Sequence, residues 1–593
     1  MSIGMDSPQF NEGLELPVPN RSFWTLLKSR IGATPSGLTM PENQLFLLLA
    51  VIIGIFSGLT VVCFRIAFEW IHLLLLGSAL KPPPARVLAV PALAGLVVAF
   101  LVRRFFPLVR GSGVNQTKAA LYIYDGYIPF QTVIGKFLTC ALAIGGGHSL
   151  GPEDPSLQMG AGWASALGRQ LRLSRDKIRL IAPIGAAAGL AAAFNSPIAA
   201  VLFVIEEVIG TWSAGVLGAI VLSAVSSVVV ARWFLGGEPL FRIPTYQLAH
   251  PAELIGYAVL GLIGGLASLL LVKLVASSRT RLRSLPGWTQ YFQPAAAGLL
   301  IGVIGLWLPQ VMGAGYESID QAMHGQYDWQ LLALLGVFKI LATGLSFASG
   351  TPGGLFAPTL FIGAMIGGTV GAWEGHFFPA LTGSVGMYAL VGMGTLFAGF
   401  LRAPMTSVFM ILEVSGSYSI VLPVMISNTL AYLISRHYQK VPLMDLLSRQ
   451  DGLGLPSMEE LREKPVLRVE DAMRPVSDPP LSGGDSITDC LKQIENSPSD
   501  FFLVMRGDGT WSGITRKALE RWESDGNGAL QVESLLSSVR LGRVHPDESL
   551  DAALRRITDS PLLPVVARTD PARLHGVLSL ADILAAYKKS SPL

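Results

Sequence analysis

The chain has 593 residues, of which 51% are hydrophobic and only 14% charged, with a mean hydropathy of +0.50 and a formal net charge of +3. Soluble domains carry about a quarter charged residues, so most of this chain belongs in lipid, and so small a net charge argues against a nucleic-acid partner. Cys63, Cys140 and Cys490 are scattered without a CxxC pair, which suggests neither a zinc site nor a disulfide framework.

Residues 1–41 read as a polar N-terminal segment with no signal peptide, holding one amphipathic stretch, Phe23-Trp24-Thr25-Leu26-Leu27-Lys28. The first long apolar run, Leu45–Ile71, is long enough to span, since a bilayer core needs about 20 apolar residues as helix. Further runs lie near 86–107, 132–147, 177–205, 214–235, 253–276, 293–311, 330–348, 355–376, 387–415 and 419–436. Many are short or interrupted by glycine, as in transporters whose broken helices meet a site at the bilayer midplane.

An internal repeat supports that reading. The stretch from Gly185 to Val208 lies over Gly392 to Val414 at an offset of 207 (392 − 185), stacking Pro197 on Pro404 and Glu206 on Glu413. Gly151 to Ala161 lies over Gly354 to Ala364 at an offset of 203 (354 − 151), with Pro155 on Pro358 and Gly160 on Gly363. Between apolar runs stands Gly145-Gly146-Gly147-His148-Ser149-Leu150-Gly151-Pro152-Glu153-Asp154-Pro155-Ser156. Two carboxylates at membrane depth need water, an ion or a partner, which marks them as functional. Pro155 suits the first turn of a helix, whose free N–H groups offer an anion site. A carboxylate there could fill the anion site and leave it when protonated.

Beyond about Arg449 the composition changes to frequent charges and Asp-Gly turns. Residues 42–450 therefore form the transmembrane part and 451–593 a soluble tail. The tail holds two similar units, about 466–522 and 530–588, in which short β-rich runs alternate with amphipathic helices, an α/β unit used twice.

These residues resemble the CLC family of chloride channels and chloride/proton antiporters, and the tail resembles a tandem CBS pair. Gly111-Ser112-Gly113-Val114-Asn115-Gln116 stands where the family has GSGIPE, Gly151-Pro152-Glu153-Asp154-Pro155 where it has G(K/R)EGP, and Gly353-Gly354-Leu355-Phe356-Ala357-Pro358 matches GGIFAP. The resemblance implies an α-helical polytopic membrane protein of two inverted-topology repeats with an α/β CBS pair. It implies that Ser112, Gly113, Leu355, Phe356 and Met444 surround the anion, that Glu153 is the external gate, and that Glu207 is the internal proton-transfer acid with Glu206 its structural neighbour. It also implies a homodimer, with one pathway per subunit, whose partners are chloride, protons and the lipid bilayer. No cofactor is required; the one the resemblance suggests is an adenine nucleotide at the CBS pair, held by Asp582 beside Ser579, since Ala518 stands at the matching place in the first unit.

Three departures from the pattern matter. Pro152 replaces a basic residue and Asp154 a glycine, and an added charge about 6 Å away is worth about 3 kcal/mol at an effective dielectric near 20. Asp154 should then oppose an anion unless a cation such as Lys136 pairs with it. Met444 stands where the family usually has tyrosine and brings no hydroxyl to the anion.

Chloride/proton exchange with fewer protons per chloride is the expected function. A passive channel is the alternative, and fluoride transport a weaker one. An intramembrane serine protease, prompted by Gly111-Ser112-Gly113 and His148, is the reading from another class, and it requires a Ser–His pair in hydrogen-bond reach; no enzymatic activity is expected. Lys28, Arg30, Arg436, Lys440 and Arg449 flank the outermost spans, so the positive-inside rule puts both termini in the cytoplasm. The membrane is the cell membrane, the inner one in a bacterium.

Overall fold

The structure is a computed structural model that describes residues 42–77, 83–171, 173–211, 214–237, 241, 250–379, 383–463, 467–536, 541–557 and 561–590. The expected N-terminal segment and its amphipathic stretch lie outside these.

In lipid, a backbone must satisfy its own polar groups, which leaves an apolar chain the choice of helix or closed barrel. The apolar runs form helices. Among the described residues, eight are long and apolar enough to cross a membrane, beginning with Glu42–Leu75 and ending with Tyr418–Tyr438. Shorter apolar helices, including Phe130–Gly145, Gln293–Trp307, Val385–Leu401 and Pro404–Ser415, fill the space between them.

Two of the runs are cut at equivalent points. The run 177–205 ends its helix Ile181–Phe194 at Asn195 and restarts as Pro197–Phe203. The run 387–415 ends at Leu401 with Arg402 as cap and restarts at Pro404. Asn195 and Arg402 are 207 apart and both are left-handed, with φ of 55° and 58°, the conformation that ends a helix. Each following proline starts the next segment, where its missing N–H is no loss.

Contacts between the copies are reciprocal, as a local two-fold requires. Glu206 accepts hydrogen bonds from the N–H groups of Met405 and Thr406, at 3.4 and 2.9 Å. Its repeat mate Glu413 accepts from Ile198 and Ala199, at 3.2 and 3.0 Å. Gly151 and Gly354 pair antiparallel and exchange two hydrogen bonds of 2.8 Å. Helix Glu153–Gly168 packs on Ile181–Phe194 so closely that a Cβ on Gly160 would stand 2.1 Å from the Gly185 carbonyl. The mate pair repeats it, since a Cβ on Gly363 would stand 2.3 Å from the Gly392 carbonyl. Small residues of this kind let membrane helices approach to backbone contact.

The chain divides into two compact units between Arg462 and Glu463. That is later than the 450/451 boundary suggested by composition. The polar helix Met458–Glu463 looks like the start of the tail, but Glu459 is tied into the membrane unit by Arg402 at 2.9 Å, Arg436 at 3.2 Å and Tyr432 at 3.0 Å. Charge counting cannot see an ion pair.

The tail is an α/β unit used twice, as its sequence suggests. In the first copy, strand Phe501–Met505 pairs parallel with Leu481–Ser482 and antiparallel with Trp511–Thr515. In the second, Leu563–Val566 pairs antiparallel with Leu574–Leu578, and Val544 bridges Val565 in parallel. Leu503 and Trp511 pack with Val566 and join the copies.

Candidate anion and proton site

Three chain breaks converge on one buried place. Helix Phe356–Phe377 begins there, and its first turn has N–H groups that no helical carbonyl can reach. Leu355 N–H donates to Asp154 Oδ2 at 2.8 Å, and Ala357 N–H donates to Glu153 Oε2 at 3.3 Å. Both carboxylates are fully buried. The helix end that would hold an anion is thus filled by two carboxyl groups of the protein's own, from the facing repeat. Between them the Phe356 ring is fixed against Phe194, Phe203 and Phe397, with centroids 5.9, 4.9 and 5.3 Å away.

The Gly111–Gly113 loop packs against the same helix as the carboxylates. A Cβ on Gly113 would stand 3.1 Å from the Asp154 carbonyl and 2.8 Å from Gln158 Oε1, and φ there is 114°, so only glycine fits. Ser112 Oγ accepts from Val114 N–H at 3.3 Å. Accepting leaves the hydroxyl proton itself available to an anion. Helix Val114–Tyr122 then carries Asn115, whose amide donates to the Met444 carbonyl at 2.8 Å. Met444 is buried, and its backbone is held by the helix that follows the Ser112 loop.

Lys136 and Asp154 do not pair as the sequence suggested. Lys136 Nζ instead donates to the carbonyls of Val109 and Gly111, at 3.0 and 2.7 Å, holding the loop that presents Ser112. Asp154 has spent one oxygen on Leu355, and its Oδ1 has no hydrogen-bond partner in the structure. An anion at this helix end would compete with Asp154 for the Leu355 N–H. Asp154→Gly is accordingly expected to lower the chloride dissociation constant about tenfold, as the release of one donor to a charged group implies. Chloride calorimetry on the full chain reads this, and an unchanged constant would mean that Leu355 N–H takes no part in binding.

Sequence reasoning passed over two further residues. Tyr316 donates its hydroxyl proton to Glu153 Oε1. Lys118, buried on helix Val114–Tyr122, pairs with Glu207 Oε1 at 2.5 Å. Glu207 lies in Val204–Ile209, a wide π-type turn, a form frequent at functional sites. A lone lysine among small residues at membrane depth was the signal for Lys118, because it needs an acid.

At the Ser112 end, Arg103, Arg110, Arg279 and Arg283 line a cleft that reaches Gly111. Asp451 pairs with Arg279 and Arg283 at 2.8 and 2.5 Å, leaving a net positive mouth that would concentrate anions. His148 does not meet Ser112: its Nε2 lies 3.1 Å from the Pro91 carbonyl. The serine–histidine pair that hydrolysis demands is not formed.

Residues 94–436 match the family model described as voltage gated chloride channel. The chain belongs to that family. A putative chloride channel protein, ClcB-like, from Ralstonia nicotianae is 32% identical over 430 residues, covering 69% of this chain and 99% of that protein. The H(+)/Cl(−) exchange transporter ClcA of Vibrio campbellii is 32% identical over 420 residues, covering 68% and 88%. Among solved structures, a slow cyanobacterial Cl−/H+ antiporter superposes with a TM-score of 0.62 at 23% identity, over 70% of this chain and 99% of its own. A eukaryotic CLC transporter gives 0.58 at 22% identity, over 91% and 97%. These likenesses confirm the CLC fold.

Residues 539–589 match the CBS domain model. In that unit of this CLC protein, Asp582 is already engaged. Its Oδ2 accepts from the Ser579 N–H and hydroxyl at 2.9 and 2.6 Å, and its Oδ1 pairs with Arg474 at 2.8 Å. Ser579 Oγ in turn accepts from Asp582 N–H at 3.3 Å, a reciprocal helix cap. A ribose at Asp582 has to displace Arg474.

Proposed function

We propose that this protein exchanges chloride for protons, with Glu153 as the outer gate and proton carrier and Glu207 as the inner proton site. The observation that carries this is the position of the Glu153 carboxylate, on the backbone donors at the start of Phe356–Phe377. Charged, it competes with chloride for them; neutralised by a proton, it accepts more weakly and gives them up. One site thus alternates between an anion and a deprotonated carboxylate, which links the two ions with opposite directions of travel. Relatives described as exchange transporters support this reading.

Met444 bears on the stoichiometry. Strict exchange needs an anion path never open to both ends, and a side chain without a hydroxyl closes the inner end by bulk alone. Fewer protons per chloride follow than in a relative with tyrosine there. The second reading, a passive channel, draws on the same methionine.

Liposomes loaded with chloride and diluted into low chloride separate the two. With potassium and valinomycin carrying the compensating charge outward, an exchanger draws protons inward as chloride leaves, so the outer medium turns alkaline without a protonophore, and the reversal potential against a pH gradient gives the ratio. Chloride efflux with no pH change establishes the channel and leaves Glu207 a structural acid.

A further inference from the structure

The hydroxyl that meets the gate belongs to no motif, yet the repeat builds it as deliberately as it builds Ser112. Gly111-Ser112-Gly113-Val114 lies over Gly313-Ala314-Gly315-Tyr316 at an offset of 202 (313 − 111). All four glycines are left-handed, with φ of 78° and 114° in the first loop and 61° and 83° in the second. Each loop leads straight into a helix, Val114–Tyr122 or Tyr316–Met323. A single buried lysine holds each one: Lys136 on the carbonyls of Val109 and Gly111, and Lys339 on those of Val311 and Gly313, at 2.9 and 2.8 Å. The second loop is equally closed to side chains, since a Cβ on Gly315 would stand 2.5 Å from the Phe361 ring. One loop offers a hydroxyl from its middle residue and the other from the residue that follows it.

A carboxylate oxygen and a chloride ion ask for the same surroundings, namely a few converging donors in a dry place. Glu153 has two such donors on its oxygens, the Tyr316 hydroxyl and Ala357 N–H. When the carboxylate withdraws, both lose their acceptor, and an unsatisfied buried donor costs about 1–3 kcal/mol. The Tyr316 ring is not free to follow. It packs edge-on to Phe241 with centroids 6.1 Å apart. It also forms part of the wall of a cavity of about 620 Å³ that Glu69, His72 and Glu317 share.

We propose that Tyr316 is an anion ligand: its hydroxyl coordinates chloride at the outer position whenever Glu153 has left. This places a phenol at the outer end of the path of a chain that lacks one at Met444. It rests on the exchange reading above, whose test is separate.

The experiment is chloride calorimetry on the full chain in detergent, comparing Glu153→Ala with Glu153→Ala/Tyr316→Phe. Removing the carboxylate from both ensures that no gate competes. Phenylalanine keeps the ring packing, so the comparison isolates one hydroxyl. The double variant is expected to bind chloride about tenfold more weakly, the loss characteristic of one hydrogen bond to a charged group. Equal dissociation constants would overturn the assignment and leave Tyr316 a partner of the carboxylate alone. Proton movement in the unsubstituted chain is read independently, so failure of exchange and failure of the Tyr316 assignment give different results.

Discussion

Glu153→Gln is expected to abolish chloride-driven proton movement while chloride efflux continues at the parent rate or faster. Glutamine has the same length and can still accept from Ala357 N–H or the Tyr316 hydroxyl through its amide oxygen. It lacks the charge that makes the native contact strong, so chloride displaces it more easily at every pH. It also has no proton to carry. Liposomes of the variant should therefore lose chloride without any pH change outside, and the coupling ratio should fall to zero. Unchanged proton movement would transfer the carrier role to the neighbouring Asp154. Its Oδ2 also sits on a donor of this helix end, and its Oδ1 is without a partner.

Lys118→Met should destabilise the membrane unit by about 3–5 kcal/mol, the cost of stripping one partner from a buried ion pair. The pair is close, at 2.5 Å, and both side chains are almost wholly enclosed. Methionine fills nearly the same space but takes the Lys118 charge away from the Glu207 carboxylate. Replacing both partners, as Lys118→Met/Glu207→Gln, should recover most of the loss, because well-packed neutral groups often equal a buried pair in stability. Denaturant titration in mixed micelles compares the three proteins. A single variant within about 1 kcal/mol of the parent would show that Glu207 keeps its charge by other means. On the exchange reading, a proton that arrives at Glu207 has to break the contact with Lys118 first.

The sequence carried the architecture because architecture depends on periodic and repeated features. Apolar runs, their prolines and the 207-residue offset survive in one dimension, and they located both broken segments. Lys118, Tyr316 and Asn115 were harder to read because each acts through a partner 89, 163 or 329 residues away. Lys136 shows the opposite failure. Its charge suggested an ion pair with Asp154, whereas the structure gives it two carbonyls, because a buried ammonium settles wherever oxygen acceptors converge. The tail boundary was misplaced for the same reason, as the polarity of Met458–Glu463 hides the bonds of Glu459.

The crossed caps at Glu206 and Glu413 also bear on how the chain is made. Helix Pro197–Phe203 receives its cap from a residue 215 positions later, and Pro404–Ser415 from one 199 positions earlier. While the ribosome is still producing the second half, the first half has entered the bilayer with those N–H groups uncovered. Uncovered amides are costly in hydrocarbon, so the early intermediate has reason to keep that segment near water or bound to an insertion factor. Closing loops of this length is slow. Assembly of the membrane unit therefore concludes late, when the second half arrives and both caps close together.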